Sequence, residues 1–163
     1  MYIRCIDAIY YLGMRDQAWL QQQLGEIWRL HFPDVQERNP VRIMFGRRAY
    51  RRLGSISTDP QDPEQTIIRV TGWFQYPQIP VEIVRSVIVH EMCHYAHGFH
   101  SGGAQQHTYP HAGGVIRREF AERDLEELYD RQQEWLREEW PKFLRKHYKG
   151  NYIKNPNKKG NKQ

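Results

Sequence analysis

Two histidines four residues apart with a glutamate directly after the first, His90-Glu91-Met92-Cys93-His94, constrain this chain more than any other stretch. On an α-helix, residues four apart share one face about 6 Å apart along the axis, so both imidazoles reach one ion. Glu91 then projects beside that ion without binding it. The surroundings agree with a helix. Pro80 suits a first turn, Val81, Val84, Val87, Ile88 and Met92 recur at helical spacing, and Gly98 can end the element. An ordinary amphipathic helix gains nothing from polar residues in its centre, where an unpaired group costs on the order of a few kcal/mol. The chemistry that uses this pattern is metal-assisted amide hydrolysis. A zinc ion on His90 and His94 lowers the pKa of its water to about 7, and Glu91 takes the proton as general base.

The rest of the composition bounds the setting. At 163 residues, 26% charged and 39% hydrophobic, the chain reads as one soluble domain with a tail. Arg4 and Asp7 interrupt the apolar start, so neither a signal peptide nor a membrane span is expected. Cys5 and Cys93 are too few for a disulfide framework or a four-cysteine zinc ribbon, and a reducing cytoplasm is the simplest compartment. Cys93, between the histidines, reads as a small buried hydrophobe. The net charge of +5 is uneven: residues 1–80 contribute +2, residues 81–141 contribute −5 and residues 142–163 contribute +8. The expected division is a domain over 1–141 and a basic tail over 142–163. Within that tail, 151–163 is rich in Lys, Asn and Gly, a composition expected to stay disordered.

Along the chain, Leu20, Leu24, Ile27 and His31 form the stripe of a first helix over 16–31, ended by Pro33. Three short segments rich in β-branched or aromatic residues follow, over 41–45, 50–56 and 66–71, and read as strands. The motif helix comes next, then a turn-rich, histidine-dense loop from Phe99 to Gly114. From Val115 onward, Ile116, Phe120, Leu125, Leu128, Trp135 and Leu136 read as one long helix broken near Pro141. Its acidic run, Glu119 to Glu139, reads as a solvated face with i,i+4 pairs. The order is that of an α+β fold in which a three-stranded sheet packs on the motif helix.

A catalytic zinc needs a third protein ligand and an open position. His100 lies where metzincins place their third histidine, but His97 occupies their glycine position and no methionine follows Met92. Glu119 would complete a gluzincin site. Pro110-His-Ala-Gly-Gly-Val115 resembles the segment of the SprT-like (Spartan-type) family that carries a third histidine shortly before the next helix. The order of the segments between about 15 and 125 agrees with that family. Ala112 stands where the family has glycine, Val115 where it has an aromatic, and its C-terminal cysteine-rich ribbon is missing. The resemblance implies a zincin-like minimal metalloprotease core, one Zn2+ per chain on His90, His94 and His111, and Glu91 as general base. His107 and Glu119 stay open as third ligands.

Other residues carry weaker signals. His97, one turn beyond His94, suits either a substrate contact or a satisfied helix-end polar group. Tyr109 suits either an oxyanion donor or an ordinary loop tyrosine. The resemblance implies a protease acting near DNA, hence in a nucleoid or nucleus. Lys142, Arg145, Lys146, Lys149 and Lys154 interleave with Phe143, Tyr148 and Tyr152, which suits phosphate neutralisation and base stacking. Arg47, Arg48, Arg51 and Arg52 form a second basic cluster. Three readings follow: a SprT-like zinc metallopeptidase acting on a protein substrate, a minimal gluzincin peptidase with Glu119 as ligand, and a non-catalytic zinc-stabilised binding module. Nothing in the sequence sets an oligomeric state.

Overall fold

The computed structural model describes residues 13–109 and 111–147. Among these the chain is α+β, with five α-helices and one three-stranded sheet. Helix α1 spans Gln17–His31, and its Asp16 carboxylate caps the first turn by accepting from the Trp19 N–H at 2.8 Å. It buries Leu20, Leu24 and Ile27 of the expected stripe, while His31 at its end is half-buried.

Strands β1 (Val41–Phe45), β2 (Gly54–Thr58) and β3 (Thr66–Val70) follow. Their order in the sheet is β1-β3-β2, with β3 parallel to β1 and antiparallel to β2. The central position of β3 explains its composition, since Thr66, Ile67, Ile68 and Val70 are all buried. The second strand begins later than expected, at Gly54 rather than Tyr50. Residues 50–53 instead form the approach to the strand, and the Tyr50 carbonyl accepts from Trp140 Nε1 at 3.0 Å.

Helix α2 (Val81–Ala96) carries the motif. A single apolar stripe would leave one face wet, yet Ile83, Val84, Val87, Ile88, Val89, Met92, Cys93 and Tyr95 are all buried, on nearly every side. The reason is position. The helix touches α1, β2 and β3, and also two later helices, α3 (Val115–Glu122) and α4 (Glu126–Glu138). It is the shared wall of the core.

The long C-terminal helix is three helices. The first break follows α3, where Asp124 takes a left-handed conformation (φ 57°) and the N–H groups of Asp124 and Leu125 return to the Ala121 and Phe120 carbonyls. Buried Leu125 anchors this corner. The second break is at Glu139, after which α5 runs Trp140–His147. The helix thus breaks near Pro141 as expected, and Pro141 itself lies in the first turn of α5, where its missing N–H has no intrahelical acceptor to lose. The expected tail boundary at 141/142 therefore falls inside a packed helix. Leu144 is buried, and Phe143 stacks on Trp140 at 5.5 Å between ring centroids and meets Trp73 edge-on. The stretch expected to be disordered, 151–163, lies outside the described residues.

The packing of α5 makes a direct prediction. Leu144→Ala should lower stability to urea by about 2–4 kcal/mol, as for other buried leucines, whereas Lys146→Ala should stay within about 0.5 kcal/mol of wild type. Equal, negligible effects from both would remove α5 from the core.

Candidate metal centre

The α-helical spacing of His90 and His94 brings their ring centroids to 5.0 Å. The third histidine arrives by a loop whose course is set where α2 ends. Gly98 takes φ 89°, and a Cβ there would run into the Ala104 carbonyl, so the chain needs glycine to turn. The Phe99 N–H then bonds the His94 carbonyl at 3.0 Å and the Gln106 N–H the His97 carbonyl at 2.8 Å, closing the loop on the helix end. His111 leads into a 3-10 turn, Ala112–Gly114, whose two glycines take φ 64° and 70° just before α3. Its ring lies 5.4 Å from that of His90 and 4.7 Å from that of His94. One ligand atom from each of the three histidines lies within 4.8 Å of the others, and among the described residues this is the group that could hold a metal ion.

The donors suit that role electrostatically. Burial, then the neighbouring His111, lowers the pKa of His90 to about 4; burial, then His90, His111 and His97, lowers that of His94 to about 3. Both rings are thus neutral near pH 7, the form that offers a lone pair to a metal. His94 is buried, yet its Nδ1 has no partner among the described residues. The fold has placed polar capacity here that the protein does not itself use. These observations fit a divalent ion held by three imidazoles.

Glu91 is 6% exposed and is not part of the histidine group. Burial raises its carboxyl to about 8, with Arg52 the charge that pulls it back. A nearby dication would pull it further down, toward the ionised form that can accept a proton. Gly54, the first residue of β2, permits this closeness. A Cβ there would sit 2.7 Å from Val87 Cγ1 and would overlap the Glu91 carboxylate. The histidines and Glu91 open into one cleft of about 530 Å³, walled by Arg51 to Ile56 on one side and by Phe99, His100 and Gln132 on others.

The remaining sequence candidates separate. His97 does not reach the cleft; it is buried and shares a 2.7 Å hydrogen bond with Glu119 through Nε2. Glu119 is engaged there and with Arg123 (2.7 Å to Nε), which hold its carboxyl below the usual range. It takes no part in the histidine group, and His107 packs its ring on His97 at 4.7 Å. Tyr109 is 73% exposed and does not line the cleft. Of the four arginines, Arg51 and Arg52 line the cleft, while Arg48 lies over Trp73 at 5.0 Å and Arg47 is exposed elsewhere. Lys146 is exposed on α5, and Lys149 lies outside the described residues.

Three contributors were not legible as such. Gly54 read only as an interior residue of the second strand. Gln132 looked like part of a solvated face, yet it is buried, accepts from Ser86 Oγ at 2.8 Å and borders the cleft. His100 was readable only as a ligand, whereas it takes a left-handed conformation (φ 52°) at the cleft wall. There its carbonyl accepts from the Thr66 hydroxyl and its Nδ1 meets Thr58 Oγ1 at 3.0 Å.

These shifts set how the metal-free protein responds to pH. His90 and His94 have folded pKa values below the unfolded 6.5, so the unfolded chain takes up protons first and stability is lost as pH falls below about 6.5. Glu91 has a folded pKa above the unfolded 4.5, so its contribution is full below 4.5 and is lost as pH rises through about 8. Two histidines outweigh one glutamate on the acid side, and only Glu91 acts between 6.5 and 8. Urea denaturation of chelator-treated protein should therefore show maximal stability near pH 6.5, falling on both sides; a steady rise to pH 8 would contradict the burial of Glu91.

Compared with protein-family models, with curated proteins and with solved structures, the chain matches none of them.

Proposed function

We propose that this protein is a zincin-like metallopeptidase of the SprT-like kind, binding one Zn2+ through His90, His94 and His111 and hydrolysing peptide bonds. The observation that carries the reading is the convergence of three imidazoles, within 4.8 Å of one another, beside a buried carboxyl that is not one of them, all opening on a cleft. When bound, zinc supplies Lewis acidity, polarising a carbonyl and making water acidic enough to ionise near neutral pH. Glu91 takes the proton from the attacking water on its carboxylate and returns it to the leaving amine. The cleft wall from Gly54 to Ile56 receives the substrate backbone, and Gly54 keeps that wall in contact with Glu91.

The gluzincin alternative is disfavoured because the Glu119 carboxylate is held by His97 and Arg123. A purely structural zinc site has no use for a carboxyl facing a cleft. Action on DNA-associated proteins is the part of the proposal that rests most on charge. Residues 142–163 carry eight basic and no acidic side chains, and Arg145 and Lys146 are exposed on α5. Phe143 does not contribute a free stacking ring, since it packs among Trp140, Trp73 and Tyr76.

The test is hydrolysis of an unstructured protein by the zinc-loaded chain. Glu91→Gln should lower the rate by about a hundredfold or more, in line with loss of a general base. Chelation should abolish it and added zinc restore it. Cleavage by Glu91→Gln at the wild-type rate would remove Glu91 from the mechanism.

A further inference from the structure

The arginines before β2 differ in what they face. Most arginines on the helices meet carboxylates: Arg85 pairs with Glu26 at 3.0 Å, Arg123 with Asp34 at 2.7 Å and Arg131 with Glu127 at 2.9 Å. Arg48 lies over Trp73 and Tyr76, and Arg51 over Tyr50 at 5.6 Å. Arg52 is exposed, lines the cleft, and makes neither an ion pair nor a hydrogen bond with any described residue. The one acidic side chain among the cleft-lining residues is Glu91 itself. Its carboxyl is the proposed proton acceptor and lies deep, so apart from Glu91 no carboxylate among the described cleft-lining residues stands beside the two guanidinium groups on the rim next to β2.

Position along the chain turns this charge into a specificity statement. Gly54 touches Glu91, so the bond to be cut lies opposite Gly54. Arg52 is two residues earlier on the approach to β2, at most about 7 Å away along the chain, which is the span of two residues of an extended peptide. A guanidinium binds a carboxylate with two parallel hydrogen bonds, and the concave, partly apolar walls strengthen that attraction relative to open water.

We propose that Arg52, with Arg51 beside it, is a specificity-determining residue that binds a carboxylate of the substrate one or two residues from the scissile bond. The inference rests on the peptidase reading of the same site. The carboxylate comes either from an acidic side chain or from the free C-terminus of a peptide.

The test uses the zinc-loaded full chain and peptides that differ only by Glu for Gln at each position around one cleavage site, each with a free or an amidated C-terminus. The wild type should favour one charged form by about three- to tenfold in kcat/KM, a range suited to a partly exposed ion pair, and the preference should shrink with salt. A Glu-for-Gln effect assigns the carboxylate to a side chain, and a free-against-amidated effect assigns it to the terminus. Arg52→Gln should bring the ratio close to one, and Arg52→Lys should keep part of it. Arg52 also acts on Glu91, so its loss changes the rate for every peptide alike; the ratio is the readout. No preference at any position, or a preference that survives Arg52→Gln, overturns the proposal. If the wild type cuts none of the peptides, the peptidase reading fails. Fluorescence anisotropy with the labelled Glu and Gln peptides then decides carboxylate recognition separately: tighter binding of the charged form, lost in Arg52→Gln, upholds it, and equal affinities overturn it.

Discussion

Everything at this site follows from burying a polar motif in a helix that the core surrounds. Helix α2 is walled by a sheet, a preceding helix and two following ones, so His94 and Glu91 lose most of their water. Desolvation disfavours charge, and it leaves both helix histidines neutral and Glu91 protonated until a positive charge arrives. An interior of this kind is unfavourable as plain packing. A dication on the imidazole lone pairs would offset that cost and draw Glu91 back toward its ionised form. The same burial that weakens the metal-free protein prepares the site.

The second requirement is a loop that returns. Seventeen residues after His94, the chain must bring His111 back over His90 and His94, and both ends of that excursion are fastened. At the outgoing end, Gly98 turns the chain and Phe99 bonds back to His94. At the incoming end, Glu119 on α3 holds His97, the residue that closes α2, while Arg123 joins Glu119 to Asp34 after α1. The His97, Glu119, Arg123 and Asp34 chain thus links three helices, and none of its members lines the cleft. Glu119 lies outside the histidine group and fastens the loop's incoming end through His97.

Much of this was legible because local chemistry marked it. Asp16 and Pro33 bracket α1, β-branched runs between Pro and Gly mark the strands, and the four-residue histidine spacing places two donors on one face. The pairing of His111 with them was legible only through a family resemblance, since no periodicity connects a loop residue to a helix. What was illegible depended on tertiary context. Asp124 breaks the C-terminal helix without glycine or proline, because buried Leu125 and two returning N–H groups hold it left-handed. Pro141 marked the second break correctly, but not that a new helix starts there. His97 shares a helical face with His90 on paper, but it closes the last turn of α2 and is drawn to Glu119. Arg52 read as part of a basic cluster because sequence cannot tell which of four adjacent guanidinium groups has a partner.

The central claim is that three histidines, from a helix and the loop that follows it, hold one zinc ion. Metal content after dialysis tests it most directly, measured by atomic emission on variants that keep the wild-type circular dichroism. The account requires about one zinc per chain in the wild type and in Glu119→Ala, and loss of that zinc in each of His90→Ala, His94→Ala and His111→Ala. Zinc retained in His111→Ala but lost in Glu119→Ala would contradict it and move the third ligand to α3.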